Sequence, residues 1–126
     1  EALEAMDAGG PKFRLAESAV LGANHEQFGA GLCRMWKFPA SFIYVTGFHH
    51  RPMELAETNR TLAGLVHVAD VLAAQLKLGY SRTVETEQAS SELLEFLNLN
   101  QEKLDRVATQ LPVSMQEASA MLQEGI

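Results

Sequence analysis

A single cysteine, Cys33, is the only thiol in the 126-residue chain. One thiol excludes an internal disulfide and agrees with a reducing compartment. Basic residues are few: 10 Lys and Arg stand against 16 Asp and Glu, a formal net charge of −6. They form no cluster, so neither nucleic acid nor an anionic membrane is an expected partner. No apolar run reaches the roughly 18 residues of a membrane span. No charged-then-apolar signal opens the chain. Sustained period-2 alternation and hairpin turn pairs are absent, so strands are not expected. There is no internal repeat, low-complexity segment or sign of a second domain. Neither His-x-x-x-His nor Cys-x-x-Cys occurs, so no standard zinc spacing is present. The chain opens on Glu1 rather than Met; a piece of a longer protein is expected, with partner helices upstream.

What is present suits one helical domain. Hydrophobic residues make up 47% and charged residues 21%, ordinary for a globular fold. A chain of this length buries roughly 65–70% of its unfolded surface. Residues 2–8 have helix-favouring composition and stop at Gly9-Gly10-Pro11. A helix is predicted over 12–21, closed by Gly22. Asn24 is a good N-cap for the next helix, from His25 to about Lys37, with His25, Phe28, Gly29, Leu32 and Trp36 on one face. Gly29 suggests close packing or room near His25. Pro39 starts a nearly all-apolar helix over 40–50, ended by Arg51-Pro52. Thr58 or Asn59 caps the longest clear helix, 60–78, whose main stripe is Leu62, Leu65, Val66, Ala69, Leu72, Ala73 and Leu76. Being apolar on several sides, that helix is expected to be central. Residues 80–89 read as a loop. Ser90 or Ser91 caps a short helix, and Asn100 caps a last one that Pro112 should kink or split. The expected fold is an all-α bundle of roughly six to seven helices. It forms a single domain or domain fragment over 1–126, with a core at about 12–80 and C-terminal helices at about 89–124.

The candidate site is organised around His49-His50, just before Arg51-Pro52. Asp70 interrupts a mostly apolar helix, and a buried carboxylate is costly unless paired or bound to a cation. Its expected partners are His25, His49 and His50. Imidazole and carboxylate suit a divalent transition metal. On spacing alone, the plainer reading of the same four residues is a polar core network joining three helices. Both readings stay open. His67 lies one turn before Asp70 and is expected on the surface or hydrogen-bonded. Cys33 has no base one turn away and reads as a small buried hydrophobe. The glycine pairs follow no strand and make no phosphate loop.

Several stretches together resemble one family. They are Glu17 followed by Leu21-Gly22-Ala23-Asn24-His25 and Gly29-Ala30, then Trp36-Lys37-Phe38-Pro39, His49-His50-Arg51-Pro52, and Leu65-Val66-His67-Val68-Ala69-Asp70. In order and spacing, over roughly 15–80, they resemble the HDOD domain, in its C-terminal portion. This is a bacterial signalling-output relative of the HD and HD-GYP phosphohydrolases. The resemblance implies an HD-domain-like helical bundle in a cytoplasmic, regulatory, signal-transducing role beside other signalling modules. Catalytic relatives carry a His-Asp dipeptide and, in HD-GYP enzymes, Gly-Tyr-Pro after the histidine pair. This chain has neither. By position, His25, His49, His50 and Asp70 match the later metal ligands of those enzymes, as a site or its remnant. The expectation is therefore a non-catalytic domain with no catalytic residues and no certain cofactor, acting through protein contacts or ligand-dependent packing. Its partner would be another protein or an adjacent signalling domain, with self-association left open. The alternatives are a metal-dependent phosphohydrolase completed by upstream ligands and a purely structural interaction module.

Overall fold

In the computed structural model, residues 13–78 and 88–124 are described. They contain six α-helices, one 3-10 turn and no strand, which bears out the all-α expectation. The helix expected over 2–8 and most of the 80–89 loop lie outside the described residues. The order is α1 (Phe13–Leu21), α2 (His25–Met35), α3 (Ala40–Phe48), the 3-10 turn (Pro52–Glu54), α4 (Glu57–Gln75), α5 (Ser91–Phe96) and α6 (Gln101–Glu124).

Local signals set most of these bounds. The turn from α1 into α2 passes through Gly22 at φ +80°, a left-handed conformation that costs a Cβ-bearing residue about 1–2 kcal/mol. Nothing lies within 4 Å of a Cβ built there. Gly22→Ala should therefore lower stability by about 1 kcal/mol through backbone strain alone, read as a shift in the denaturation midpoint. Asn24 caps α2 in a full capping box: its side chain accepts from Gln27 N–H, and Gln27 returns a bond to the Asn24 N–H. Ser90 accepts from Leu93 N–H at α5, and Asn100 from Lys103 N–H at α6. α4 differs from expectation. It begins at Glu57 after Ala56, with no side-chain cap. It ends at Gln75 with Leu76 as the C-cap, and the positive φ of Lys77 lets Leu78 N–H reach back to Ala73 O.

α2 and α3 cross closely because two glycines face the contact. A Cβ on Gly29 would meet Thr46 at 3.4 Å, and one on Gly47 would meet Ala30 at 3.3 Å. Gly29 thus serves close packing. The buried side of α2 is Glu26, Ala30 and Cys33, while Phe28, Leu32 and Trp36 remain exposed. α4 shows the same inversion. Its expected stripe leaves Leu62, Leu65 and Val66 exposed. The side that packs is Ala63, Gly64, His67, Val68, Val71 and Leu72, where small residues let a neighbour approach. Leu93 of α5 fills that space and joins Val68 and Leu72 in the main cluster, with Leu97, Phe96 and Leu104 packed around it. Arg60 ties the 3-10 turn to this cluster by donating to Met53 O and Leu55 O and lying over the Phe96 ring.

Pro112 neither ends nor splits the last helix, contrary to that half of the expectation; α6 runs through it from Gln101 to Glu124. The missing Pro N–H leaves one carbonyl without its helical donor. That loss is cheap where most of the surrounding turns are exposed.

Candidate metal-binding site

His25 opens α2, directly after the Asn24 cap, and His49-His50 follow the last turn of α3. The close α2–α3 crossing brings these two ends together. His25 Nε2 lies 3.3 Å from His49 Nε2 and 2.8 Å from His50 Nε2. One ring nitrogen from each of the three histidines falls within 4.8 Å of the others. All three rings are half-buried. They line an open cleft of about 500 Å³ together with Phe13, Glu17, Val66, Ala69 and Asp70.

Asp70 is half-buried on α4. It faces the same cleft, but among the described residues it makes no hydrogen bond or ion pair with any ring. The expected neutralisation of its charge by the imidazoles is thus not what holds the site together. A half-buried carboxylate on an open cleft keeps enough hydration to remain without a partner.

The structural carboxylates are two others. Glu17, from α1, accepts from the His25 backbone N–H at 3.1 Å and from His25 Nδ1 at 2.5 Å. Glu26 is fully buried, with 0% of its surface exposed. It accepts from Arg14 at 2.9 Å, from Arg51 Nε at 3.1 Å and from the His50 N–H at 3.3 Å. Burial pushes the Glu26 carboxyl up. The Arg14 and Arg51 guanidinium groups and the His50 amide outweigh it and hold the group below its ordinary value. Glu26 therefore fixes the chain on either side of the histidine pair. Its partners are 12 and 25 residues away, so no local pattern marks them; by sequence Glu26 reads only as a first-turn acid. Glu17 did carry a signal, as the acidic position of the family-like pattern, but no role.

His67 is buried and its Nδ1 lies 2.8 Å from His49 O. It anchors the histidine turn to α4 from behind, the hydrogen-bonded alternative expected for it. Cys33 is buried, as expected.

The donor set suits an imidazole-preferring ion. Nitrogens bound at about 2.0–2.1 Å to a tetrahedral zinc lie roughly 3.3 Å apart, the separation of His25 and His49 Nε2, whereas His25 and His50 Nε2 are closer, at 2.8 Å. A second ion needs a bridging carboxylate. Glu17 and Glu26 are both committed to other groups, which leaves Asp70 as the cleft's uncommitted carboxylate among the described residues.

Fold and site together define an all-helical domain with a polar cluster where three helices meet. Residues 1–52 match the family model of the HDOD domain, so that part of the chain is similar to this family. The match takes in Glu17, His25 and both residues of the histidine pair; it ends at Pro52, before the family-like stretch around Asp70. No curated protein and no solved structure matches the chain. No helix of the described residues is long and apolar enough to cross a membrane.

Proposed function

We propose that the chain is the C-terminal part of an HDOD-type domain and serves as a non-catalytic regulatory output module in bacterial signal transduction. It works in the cytoplasm through contact with a protein partner or an adjacent signalling domain. One observation carries this reading: a continuous apolar face that the described fold leaves uncovered. Trp36 packs edge-on to Phe38, and Phe38 stacks on Phe42 at 5.4 Å. Phe42 then lines a small apolar cavity of about 130 Å³ with Val45, Thr46, Leu62 and Val66. Trp36, Phe42 and Leu62 are each at least half exposed, at 62%, 53% and 50%. Single exposed apolar residues are ordinary, whereas a connected row of aromatics on one side marks a contact surface. The occupant that fits is an apolar helix face of the partner, laid along α3 and α4.

Phe42→Asp tests this. The side chain is exposed, so the fold should keep its melting temperature within a few degrees. Capture of the adjacent domain of the full-length protein, supplied in trans, should fall at least tenfold. Equal capture by the variant would remove the face from the function. A wild-type dimer that Phe42→Asp dissociates would make the occupant a second copy.

The convergence of three imidazoles favours one further reading, a metal-dependent phosphohydrolase whose remaining ligands lie elsewhere in the protein. Turnover of a cyclic dinucleotide by the full-length protein, abolished by His50→Ala, would select it over the regulatory reading.

A further inference from the structure

α6 carries one apolar stripe along its length, and the body of the domain covers only the first part of it. Leu104, Ala108, Leu111, Met115, Ala118 and Leu122 recur at alternating steps of four and three residues, the seven-residue repeat of a coiled-coil seam. Leu104 packs on the cluster of Val68, Leu72 and Leu93, and with Ala108 it lines a small cleft against Val71 and Leu72 of α4. Leu111 and Pro112 are half-buried. From Val113 to Gln123 every residue is exposed. Met115 and Leu122, both in the seam, are 51% and 72% exposed. α6 therefore leaves the body near Pro112 as an arm of about three turns. A helix this short holds itself together only marginally in water, and an amphipathic one is stabilised by whatever covers its stripe.

Charge narrows the occupant. No Lys or Arg follows Arg106, and the acids beyond it, Glu117 and Glu124, fall outside the seam. An arm without a cation has no attraction for an anionic membrane or a nucleic acid. The positions flanking the seam are Pro112, Ser114, Ser119 and Met121, none of them charged. Coiled coils choose a foreign partner largely through charges at such positions. Here only the sizes of the seam residues can select, and those sizes match themselves when the sequence is reversed. With a two-fold axis between Gln116 and Glu117, Leu111 meets the partner's Leu122 and Met115 meets the partner's Ala118. The outer layers are then leucine on leucine, and the inner layers set a large side chain against a small one.

We infer that residues 111–122 of α6 pair with the same residues of a second copy of this chain as a short antiparallel coiled coil. The contact is isologous, as a two-fold dimer requires. The seam then has a cover along its length: the body as far as Ala108, the partner from Leu111 on. Antiparallel order also keeps the two bodies apart. Each chain carries a net charge of −6. The overlap holds the bodies roughly 16 Å apart along the axis, beyond the screening length of about 8 Å at physiological salt. Parallel order would set them side by side. The paired segment has fewer residues than the roughly 20–30 a side of a standard interface, so the dimer is weak, in the micromolar range. It uses a different surface from the aromatic face of α3 and α4 and does not rest on the regulatory reading.

Sedimentation equilibrium of the 126-residue chain, at concentrations spanning the micromolar range, tests the pairing. The expected result is a reversible monomer–dimer equilibrium. Leu122→Asp puts a charge in the seam and weakens the dimer roughly tenfold or more. Val113→Asp puts the same charge on the opposite side of α6 and leaves the dimer as it is. Both side chains are exposed, so both variants keep the fold of the body, checked by circular dichroism; Met115→Asp replaces Leu122→Asp if the latter does not fold. Orientation is read by mild oxidation of cysteine variants, with Cys33 buried and out of reach. Leu111→Cys mixed with Leu122→Cys gives a mixed disulfide, because the two positions share a layer, and Leu122→Cys alone gives none. A chain that stays monomeric throughout overturns the inference. So does a dimer that withstands Leu122→Asp, or one that Phe42→Asp dissociates in its place. A disulfide between two Leu122→Cys chains, or none in the mixture, overturns the antiparallel order. Phe42→Asp is expected to leave this dimer intact while lowering partner capture, so either reading can fail without the other.

Discussion

Replacing Glu26 by alanine is expected to cost about 3 kcal/mol of folding stability, from the general cost of breaking a buried ion pair. Glu26 is the most enclosed polar side chain of the site, at 0% exposure. It is the common acceptor for two arginines that approach from different parts of the chain. Removing it takes away the carboxylate that both guanidinium groups, 22% and 31% exposed, share, although Arg51 keeps its ion pair with Glu54. It also leaves the His50 N–H without its acceptor. Because both arginines reach water, the loss falls at the lower end of the usual range. Glu26→Gln keeps the shape and an acceptor oxygen and should lose about 2 kcal/mol. Urea denaturation at pH 7 reads both values. A loss below about 0.5 kcal/mol in Glu26→Ala would show that the arginines find water or other partners at no cost.

The same carboxylate gives the fold an acid limit. Its folded pKa lies below the ordinary 4.5, so the ionised form is the one that folding favours. That contribution is fully present above the unfolded value and is lost as pH falls through the lower, folded value. Wild-type stability should therefore drop below about pH 4.5, and Glu26→Gln should drop less over the same interval. Parallel wild-type and Glu26→Gln stability curves through that interval would remove Glu26 from the acid transition.

Leu93→Ala is the second large effect. Leu93 is 1% exposed and is the residue through which α5 docks on α4, packed with Val68 and Leu72. A Cβ on Gly64 would come within 2.9 Å of Leu93 Cδ1, which shows how closely the side chain fits its neighbour. Truncating such a leucine costs about 2–5 kcal/mol, depending on how far the surroundings collapse. Here Gly64 has no side chain to fill the space, so a value of about 3–4 kcal/mol is expected. Because α5 leads into α6, the variant should also expose the amides of residues 91–104 to hydrogen exchange more than those of α2. Uniform protection across both regions would mean that α5 is not a separately docked unit.

Local chemistry explains why so much of the fold was legible. Asn24, Ser90 and Asn100 announce helix starts because a side-chain acceptor beside free amides acts within three residues. The histidine pair stood out as the end of an apolar run, and His25 as the first residue after a cap. Periodicity was less informative. It marks apolar stripes on α2 and α4, of which Leu72 is buried, whereas Phe28, Leu32, Leu62 and Leu65 stay exposed and the described fold buries the faces of Ala30, Gly64 and Val68. A helical period records that a stripe exists, and it is silent about which neighbour covers it. Small residues decide that through distance of approach, and their signal is lost beside leucine.

By itself, then, the sequence determined the helices, most of their caps and the absence of strands among the described residues, and the identity of the three histidines, since each of these depends on neighbours a few residues apart. Only the tertiary structure decided which acids serve those histidines. Along one helix Asp70 is the acid the sequence points to, but it stands on the open cleft without a bonded partner among the described residues. Glu17 and Glu26 took the structural roles because the close crossing of α2 and α3 aims the histidine turn at them. The electrostatic reward for burying an acid is set by charges brought near it in space, from residues the chain holds far apart.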